Sequence, residues 1–213
     1  MSLRERLFAA VYDPLSAKPE AKFGAEVKRQ LLAQARGRVV EVGIGTGLSL
    51  PHYPAAVELV GVEPSEPMAR RARRRATELG REVTFVEAPA EELPFEDASF
   101  DTAVGLAVLC SVREPHRALA ELRRVLRPGG RFIFLEHVRS GDPRLAAKQD
   151  RFARPWGWIA GGCRPNRRTL EAIESAGFEL AEVEHEERPD VPGLVRPHIK
   201  GWGQTPSASD PGG

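Results

Sequence analysis

Arg38-Val39-Val40-Glu41-Val42-Gly43-Ile44-Gly45-Thr46-Gly47-Leu48-Ser49-Leu50 decides the fold. Val39, Val40 and Val42 suit a buried strand, because β-branched side chains pack well on a pleated surface. The strand runs into glycines at alternate positions, Gly43, Gly45 and Gly47. Glycine tolerates positive φ and lets backbone approach a ligand closely. Leu48 onward reads as the start of a helix whose free N–H groups face that ligand. Strand, glycine turn and helix together form the opening unit of a nucleotide-binding α/β sheet.

The spacing narrows the choice of nucleotide. Leu48 stands where the dinucleotide pattern Gly-x-Gly-x-x-Gly needs its third glycine, and the stretch carries no Gly-Lys-Ser/Thr of a P-loop. Outward from the turn, Glu58 to Val62 reads as a second strand ending at Glu63, which lies 20 residues beyond Gly43. A carboxylate there can accept both hydroxyls of a ribose. Ser65 is expected to cap the next helix, with Met68 packing on an adenine face. That helix carries Arg70, Arg71, Arg73, Arg74 and Arg75, expected as a solvated face, the alternative being transient contact with anionic headgroups.

Upstream, Ser2 to Tyr12 reads as an amphipathic helix with Leu3, Leu7, Phe8 and Val11 on one face, stopped by Asp13-Pro14. It either packs on the domain or forms a lid that brings Tyr12 to the ligand. Ala25 to Ala35 reads as a second helix stopped by Gly37. Downstream, strands are expected at Val83 to Val86, Phe100 to Val104 and Arg131 to Leu135, with a helix from Glu114 to Leu126. Gly105 and Leu106 fall at a carboxyl strand end, the ligand edge of an open α/β sheet. After Arg139 the alternation breaks. Ser140 to Gly162 holds Phe152, Trp156, Trp158 and Ile159, read as an acceptor-site insertion over residues 139–163. A helix from Asn166 to Ala176 and two strands, Phe178 to Glu184 and Leu194 to Gly201, follow. The expected organisation is one domain over residues 1–203, with a helical lid at 1–36 and a disordered tail from Gln204 to Gly213.

Totals exclude several classes. A hydrophobic share of 41% with 29% charged residues suits a soluble globular chain, and a formal charge of +1 gives no electrostatic case for nucleic acid. Cys110 and Cys163 are the only cysteines; by count, two thiols make neither a disulfide framework nor a zinc site, so no metal and a reducing cytoplasm are expected. No apolar run is long enough to span a bilayer, and no signal peptide is read.

Four strings together resemble a known family. Glu41-x-Gly43-x-Gly45-x-Gly47 resembles motif I of the class I S-adenosylmethionine (SAM) methyltransferases. Ala90-Glu91-Glu92-Leu93-Pro94-Phe95 resembles their adenine-reading segment, with Pro89 where an aspartate is usual, which leaves Glu91 or backbone for that contact. Glu63 and Leu126-Arg127-Pro128-Gly129-Gly130 complete the match. The amino half is similar to bacterial phosphatidylethanolamine N-methyltransferases and menaquinone-type methylases. Val108-Leu109-Cys110-Ser111-Val112, Glu136-His137-Val138 and Leu194-Val195-Arg196-Pro197-His198-Ile199 are similar to the alkyl-thiol S-methyltransferases of animals.

The resemblance implies a doubly wound, Rossmann-like α/β sheet of seven strands, the last antiparallel and inserted. It also implies SAM as cofactor, with S-adenosyl-L-homocysteine as product. Tyr12, Glu41, Gly43, Gly45, Thr46, Gly47, Glu63, Pro64, Met68, Ala90, Glu91, Gly105 and Leu106 are then the expected cofactor-binding residues. His137 and His198 are the candidates to orient or deprotonate the acceptor, and Cys110, Trp156 and Trp158 the candidates to line its site. A small apolar acceptor is expected, thiol sulfur first. A phospholipid headgroup amine, a quinone ring carbon and a non-catalytic SAM binder are the alternatives. The expected partners are that small-molecule acceptor and a transient membrane-surface contact.

Overall fold

The computed structural model describes residues 8–14, 17 and 24–207. Seven strands are β1 (Arg38–Val42), β2 (Glu58–Val62), β3 (Thr84–Val86), β4 (Phe100–Leu106), β5 (Leu126–His137), β6 (Glu179–Glu187) and β7 (Pro197–Gln204). They form one sheet in the order β3-β2-β1-β4-β5-β7-β6. The first five pair in parallel, and β7 enters antiparallel between β5 and β6. This is the expected doubly wound sheet with its inserted last strand.

The period of two along each strand places the core on both faces. Val40, Val60, Phe132 and Phe134 face one layer with Leu119, Leu122 and Ile173. Val39, Leu59, Ile133 and Leu135 face the other, with Leu31, Leu32 and Ala76. Helices α1 (Ala25–Leu32) and α2 (Glu66–Glu78) thus cover one side, and α3 (Pro115–Val125) and α5 (Thr169–Ser175) the other. Leu119 and Leu122 are wholly buried, so truncation of either to alanine costs about 2–5 kcal/mol.

Four elements differ from expectation. The glycine turn leads only to a 3-10 turn, Leu50–His52, where Pro51 removes one donor. Residues 8–14 are helical, so Asp13 and Pro14 do not stop the first helix after Tyr12; its expected start, Ser2 to Leu7, lies outside the described residues. Residues 143–159 form the longest helix among the described residues, α4 (Pro143–Ile159), despite the internal Pro155. Asp142 begins it by accepting the N–H of Arg144 at 2.9 Å. Gln204 ends β7, so the expected tail does not begin there; its last part, residues 208–213, lies outside the described residues. Thr205 is buried, its N–H donates to Gly130 O and its hydroxyl accepts Gly130 N–H at 3.1 Å. The Pro128-Gly129-Gly130 reversal is therefore an irregular part of β5 held by the chain end, with Gly129 at φ +70°.

Candidate active site

β1, β2, β4 and β5 are neighbours and run in parallel, so their carboxyl ends open on one edge of the sheet. Each glycine of the first turn has a positive φ, but their surroundings differ. A Cβ on Gly43 would lie 2.5 Å from Val108 Cγ2, so glycine lets the turn after β4 close against the turn after β1. A Cβ on Gly45 would meet only Met68 Cε at 3.7 Å and Gly43 O at 3.9 Å. Gly45 thus presents bare backbone beside a thioether, the shape a flat nucleoside needs.

Glu63 directly follows β2 and is buried. Its Oε2 accepts the N–H of Gly45 and its Oε1 that of Ser65, both at 2.9 Å. Burial raises its pKa, while these two backbone donors oppose the rise. Each carboxylate oxygen keeps a second lone pair for a ribose hydroxyl. Ser65 contributes its N–H here and makes no side-chain cap to α2. Pro64, next in line, is exposed.

Two expected cofactor residues turn their polar groups elsewhere. Glu41 Oε2 accepts the hydroxyls of Ser49 at 2.7 Å and Tyr53 at 3.0 Å, inside the core. Burial pushes its pKa up to about 7 against those hydrogen bonds. Thr46 donates its hydroxyl to Asp13 Oδ1 at 2.5 Å and its carbonyl accepts from Arg75 at 2.8 Å. Arg75 also pairs with Asp13 Oδ2 at 3.1 Å, so this arginine is not part of a solvated face. Asp13 and Arg75 tie the 8–14 helix to the glycine turn, and neither was expected to. The Tyr12 ring packs on Phe8 at 5.6 Å. Farther along, Ala90 is buried, and Glu91 Oε1 accepts the N–H groups of Arg113 and Glu114 ahead of α3.

The turn after β4 is built on Glu136, a buried residue the sequence reading left out of the site. Its Oε1 accepts the N–H groups of Val108 at 2.9 Å and Leu109 at 2.8 Å, and its Oε2 that of Cys110 at 3.1 Å. Burial raises its pKa well above the carboxylate range despite those donors. Ala107 enters this turn at φ +57°, a conformation that costs a side-chain-bearing residue about 1–2 kcal/mol. Arg167 locks the far side by donating to the carbonyls of Leu109 and Val112. Gly162 packs so closely that a Cβ would sit 2.9 Å from Ser111 O.

This frame brings Cys110, His137 and Cys163 together. His137 Nδ1 lies 3.3 Å from Cys110 Sγ and 3.5 Å from Cys163 Sγ. Both thiols are buried and free of disulfide. The Cys110 hydrogen bond to Cys163 raises the pKa of the former and lowers that of the latter. Burial would lower the pKa of His137, but the neighbouring Cys110 and Glu136 raise it overall. His198 stacks edge-on to His137 at 4.6 Å, and its Nδ1 lies 2.8 Å from Arg196 O, a tautomer-fixing N–H···O contact. Burial and the charge on His137 depress its pKa to about 3, so His198 is neutral across the working range.

Of the aromatic side chains in the insertion, Trp156 joins this cluster, with Ala160 and Cys163 near it in sequence. Trp156 packs against the buried cluster of Cys110, Cys163 and Val195, as do Val191, Ala160 and Ala107. Its indole N–H favours the Cys163 thiolate, yet it has no hydrogen-bond partner at good geometry among the described residues. Trp158 is 68% exposed, and Phe152 and Ile159 also face solvent. Residues 156 and 158 are two apart on a helix and point to nearly opposite sides. Trp158, expected to line an acceptor site, therefore does not join the cluster that Trp156 packs against.

A carboxylate at the β2 end, a bare-backbone turn at the β1 end and a sheet with an inserted antiparallel strand define a class I SAM-dependent methyltransferase. The chain belongs to that family, and S-adenosyl-L-methionine is its cofactor. Residues 40–134 match the methyltransferase domain family. The thiol S-methyltransferase TMT1B of Homo sapiens is 33% identical over 92% of this chain and 83% of its own length. The phosphatidylethanolamine N-methyltransferase of Cereibacter sphaeroides is 37% identical over 70% of this chain and 75% of its own. Among solved structures, a SAM-dependent methyltransferase of Thermotoga maritima, described as a possible histamine N-methyltransferase, superposes with a TM-score of 0.70. It is 26% identical and covers 96% of this chain and all of its own. Glu63, Gly45 and Met68 fit the adenosyl group on the geometry above.

Proposed function

We propose that the chain transfers the methyl group of SAM to the sulfur of a small apolar thiol. The observation that carries this reading is the Cys110–His137–Cys163 cluster, seated two residues from the Val108 that touches the glycine turn. SAM, when bound, supplies a methyl already activated by its sulfonium, so the protein's task is mainly positioning and exclusion of water. Gly45, Met68 and Glu63 hold the nucleoside. Ala107, Trp156, Val191 and Val195 give the acceptor an apolar wall, which suits an alkyl thiol better than a charged headgroup. His137, whose Nδ1 faces both thiols, sits where it favours the acceptor's thiolate, the reactive form of a group with an ordinary pKa of about 8.5, while the neutral His198 only backs the His137 ring.

The relatives support the same order of preference. Similarity to the human thiol S-methyltransferase extends over 92% of this chain, against 70% for the phosphatidylethanolamine enzyme. The test is a methyl-transfer assay with a short alkyl thiol, with phosphatidylethanolamine liposomes and with neither. Thiol-dependent formation of S-adenosyl-L-homocysteine is the expected result. Turnover on the liposomes alone would overturn the choice of sulfur.

A further inference from the structure

We propose that Cys110, His137 and Cys163 bind a divalent zinc-like ion, whose open fourth position takes the acceptor thiolate. Counting cysteines argued against a zinc site; the fold supplies His137 as the missing third donor. Their three donor atoms all lie within 4.8 Å of one another. A tetrahedral ion with Zn–S of about 2.3 Å and Zn–N of about 2.0–2.1 Å sets sulfur and nitrogen ligands roughly 3.5–3.6 Å apart. The observed Nδ1–Sγ distances, 3.3 and 3.5 Å, are close to that, and the two sulfurs, which a tetrahedral ion would set about 3.8 Å apart, lie within 4.8 Å and would close on the ion.

The donors come from three rigid places. Cys110 sits on the turn clamped by Glu136 and Arg167, His137 ends β5, and Cys163 follows α4 in the turn that Gly162 presses on Ser111. Two thiolates and one imidazole are the donor set that zinc prefers, and three protein ligands with one open position mark a catalytic rather than a structural site. Trp156 packs against this cluster, and its N–H, which makes no hydrogen bond of good geometry among the described residues, lies beside the Cys163 sulfur and favours its thiolate form.

The consequence deepens the thiol reading and rests on it. On coordination the acceptor's S–H bond breaks and its proton leaves to water. A lone pair of the metal-held sulfur then forms the new S–CH3 bond as the sulfonium S–CH3 bond breaks. That bonding pair stays on the sulfur of S-adenosyl-L-homocysteine. The thioether product is a weaker ligand than a thiolate and departs.

Binding is measured first, without SAM or acceptor. The whole chain, reduced and stripped with a chelator, is titrated with Zn2+ against a chromophoric competitor, then with Co2+ in the near ultraviolet. About one equivalent of zinc and a thiolate-to-cobalt charge-transfer band are expected, both lost in Cys110→Ser and in Cys163→Ser. No stoichiometric binding by the wild-type chain, or no such band, overturns the site without recourse to variants. Binding retained in both variants overturns it as well. Equal alkyl-thiol methylation by metal-free and zinc-loaded protein would overturn the role of the fourth position. A bound ion with no thiol turnover under either condition would sink the sulfur assignment and leave the metal site standing.

Discussion

Glu63 Oε2 accepts the N–H of Gly45 at 2.9 Å, so the carboxylate at the end of β2 is also a strut of the glycine turn. Glutamine at this position would keep the shape but offer one acceptor oxygen to two backbone donors, Gly45 and Ser65. A hydrogen bond to a charged group contributes about 1.5–3 kcal/mol. Glu63→Gln is therefore expected to weaken SAM binding by about 10- to 100-fold in calorimetry. An unchanged dissociation constant would remove Glu63 from the cofactor site.

Glu136 does for the acceptor side what Glu63 does for the cofactor side. Its two oxygens serve three N–H groups, and Glu136→Gln leaves that of Cys110 facing an amide donor. One unsatisfied buried donor costs about 1–3 kcal/mol of stability. Loss of kcat with a nearly unaltered SAM dissociation constant is expected, because Glu63 and Gly45 are untouched. A parallel loss of SAM affinity would show that the 107–112 turn supports both ligands.

The strands, the ligand edge and Glu63 were legible because local pattern fixes them: β-branched runs, glycines at alternate positions and a carboxylate at a set interval. Glu136 was not, since a wholly buried glutamate and a solvated one look alike in sequence, and its partners lie 26 to 28 residues away. The Cys110–His137–Cys163 cluster is invisible in the sequence for the same reason, since its three members come from separate stretches. Helix α4 was missed because Pro155 and three tryptophan or phenylalanine residues masked its period. Arg75 does not belong to a solvated face because Asp13, on another element, claims it, and the same carboxylate takes the Thr46 hydroxyl.

Helix geometry separates the two tryptophans of α4. Trp156 packs beside Cys163, whereas Trp158 faces outward. Trp156→Ala is expected to raise the acceptor KM several-fold with little change in SAM affinity, and Trp158→Ala to leave both constants within error. Steady-state kinetics with varied thiol at saturating SAM checks this. A larger effect at Trp158 would contradict the assignment of the apolar wall.

Glu41 links stability to pH. Its pKa rises from an ordinary 4.5 to about 7 in the folded chain, with burial as the main cause. Between those values the folded state binds more protons than the unfolded state, so stability falls as pH rises through that window and levels above it. The gap corresponds to about 3 kcal/mol. In Glu41→Gln the amide oxygen can still accept from Ser49 and Tyr53, and the descent should vanish. Urea melts of both proteins from pH 5 to pH 8 isolate this residue, because His198 and the other groups titrate in each. Parallel curves would mean that Glu41 stays ionised.

The glycines of the first turn are expected to fail in different ways. Gly43→Ala places a methyl 2.5 Å from Val108 Cγ2 at φ +63°, so it must push the 107–112 turn away as well as bear backbone strain. Gly45→Ala bears similar strain at φ +59°, but its methyl enters the space left for the nucleoside. Each loses about 1–2 kcal/mol to the backbone conformation. Gly43→Ala should lose about 1–3 kcal/mol more from overpacking. Val108→Ala should restore part of that additional loss by removing the clashing methyl. Gly45→Ala should melt closer to the parent, yet bind SAM at least 10-fold more weakly. Thermal melts and SAM titrations on the three single variants and the Gly43→Ala, Val108→Ala double variant decide it. Normal SAM affinity in Gly45→Ala would mean that the cofactor does not lie against this backbone.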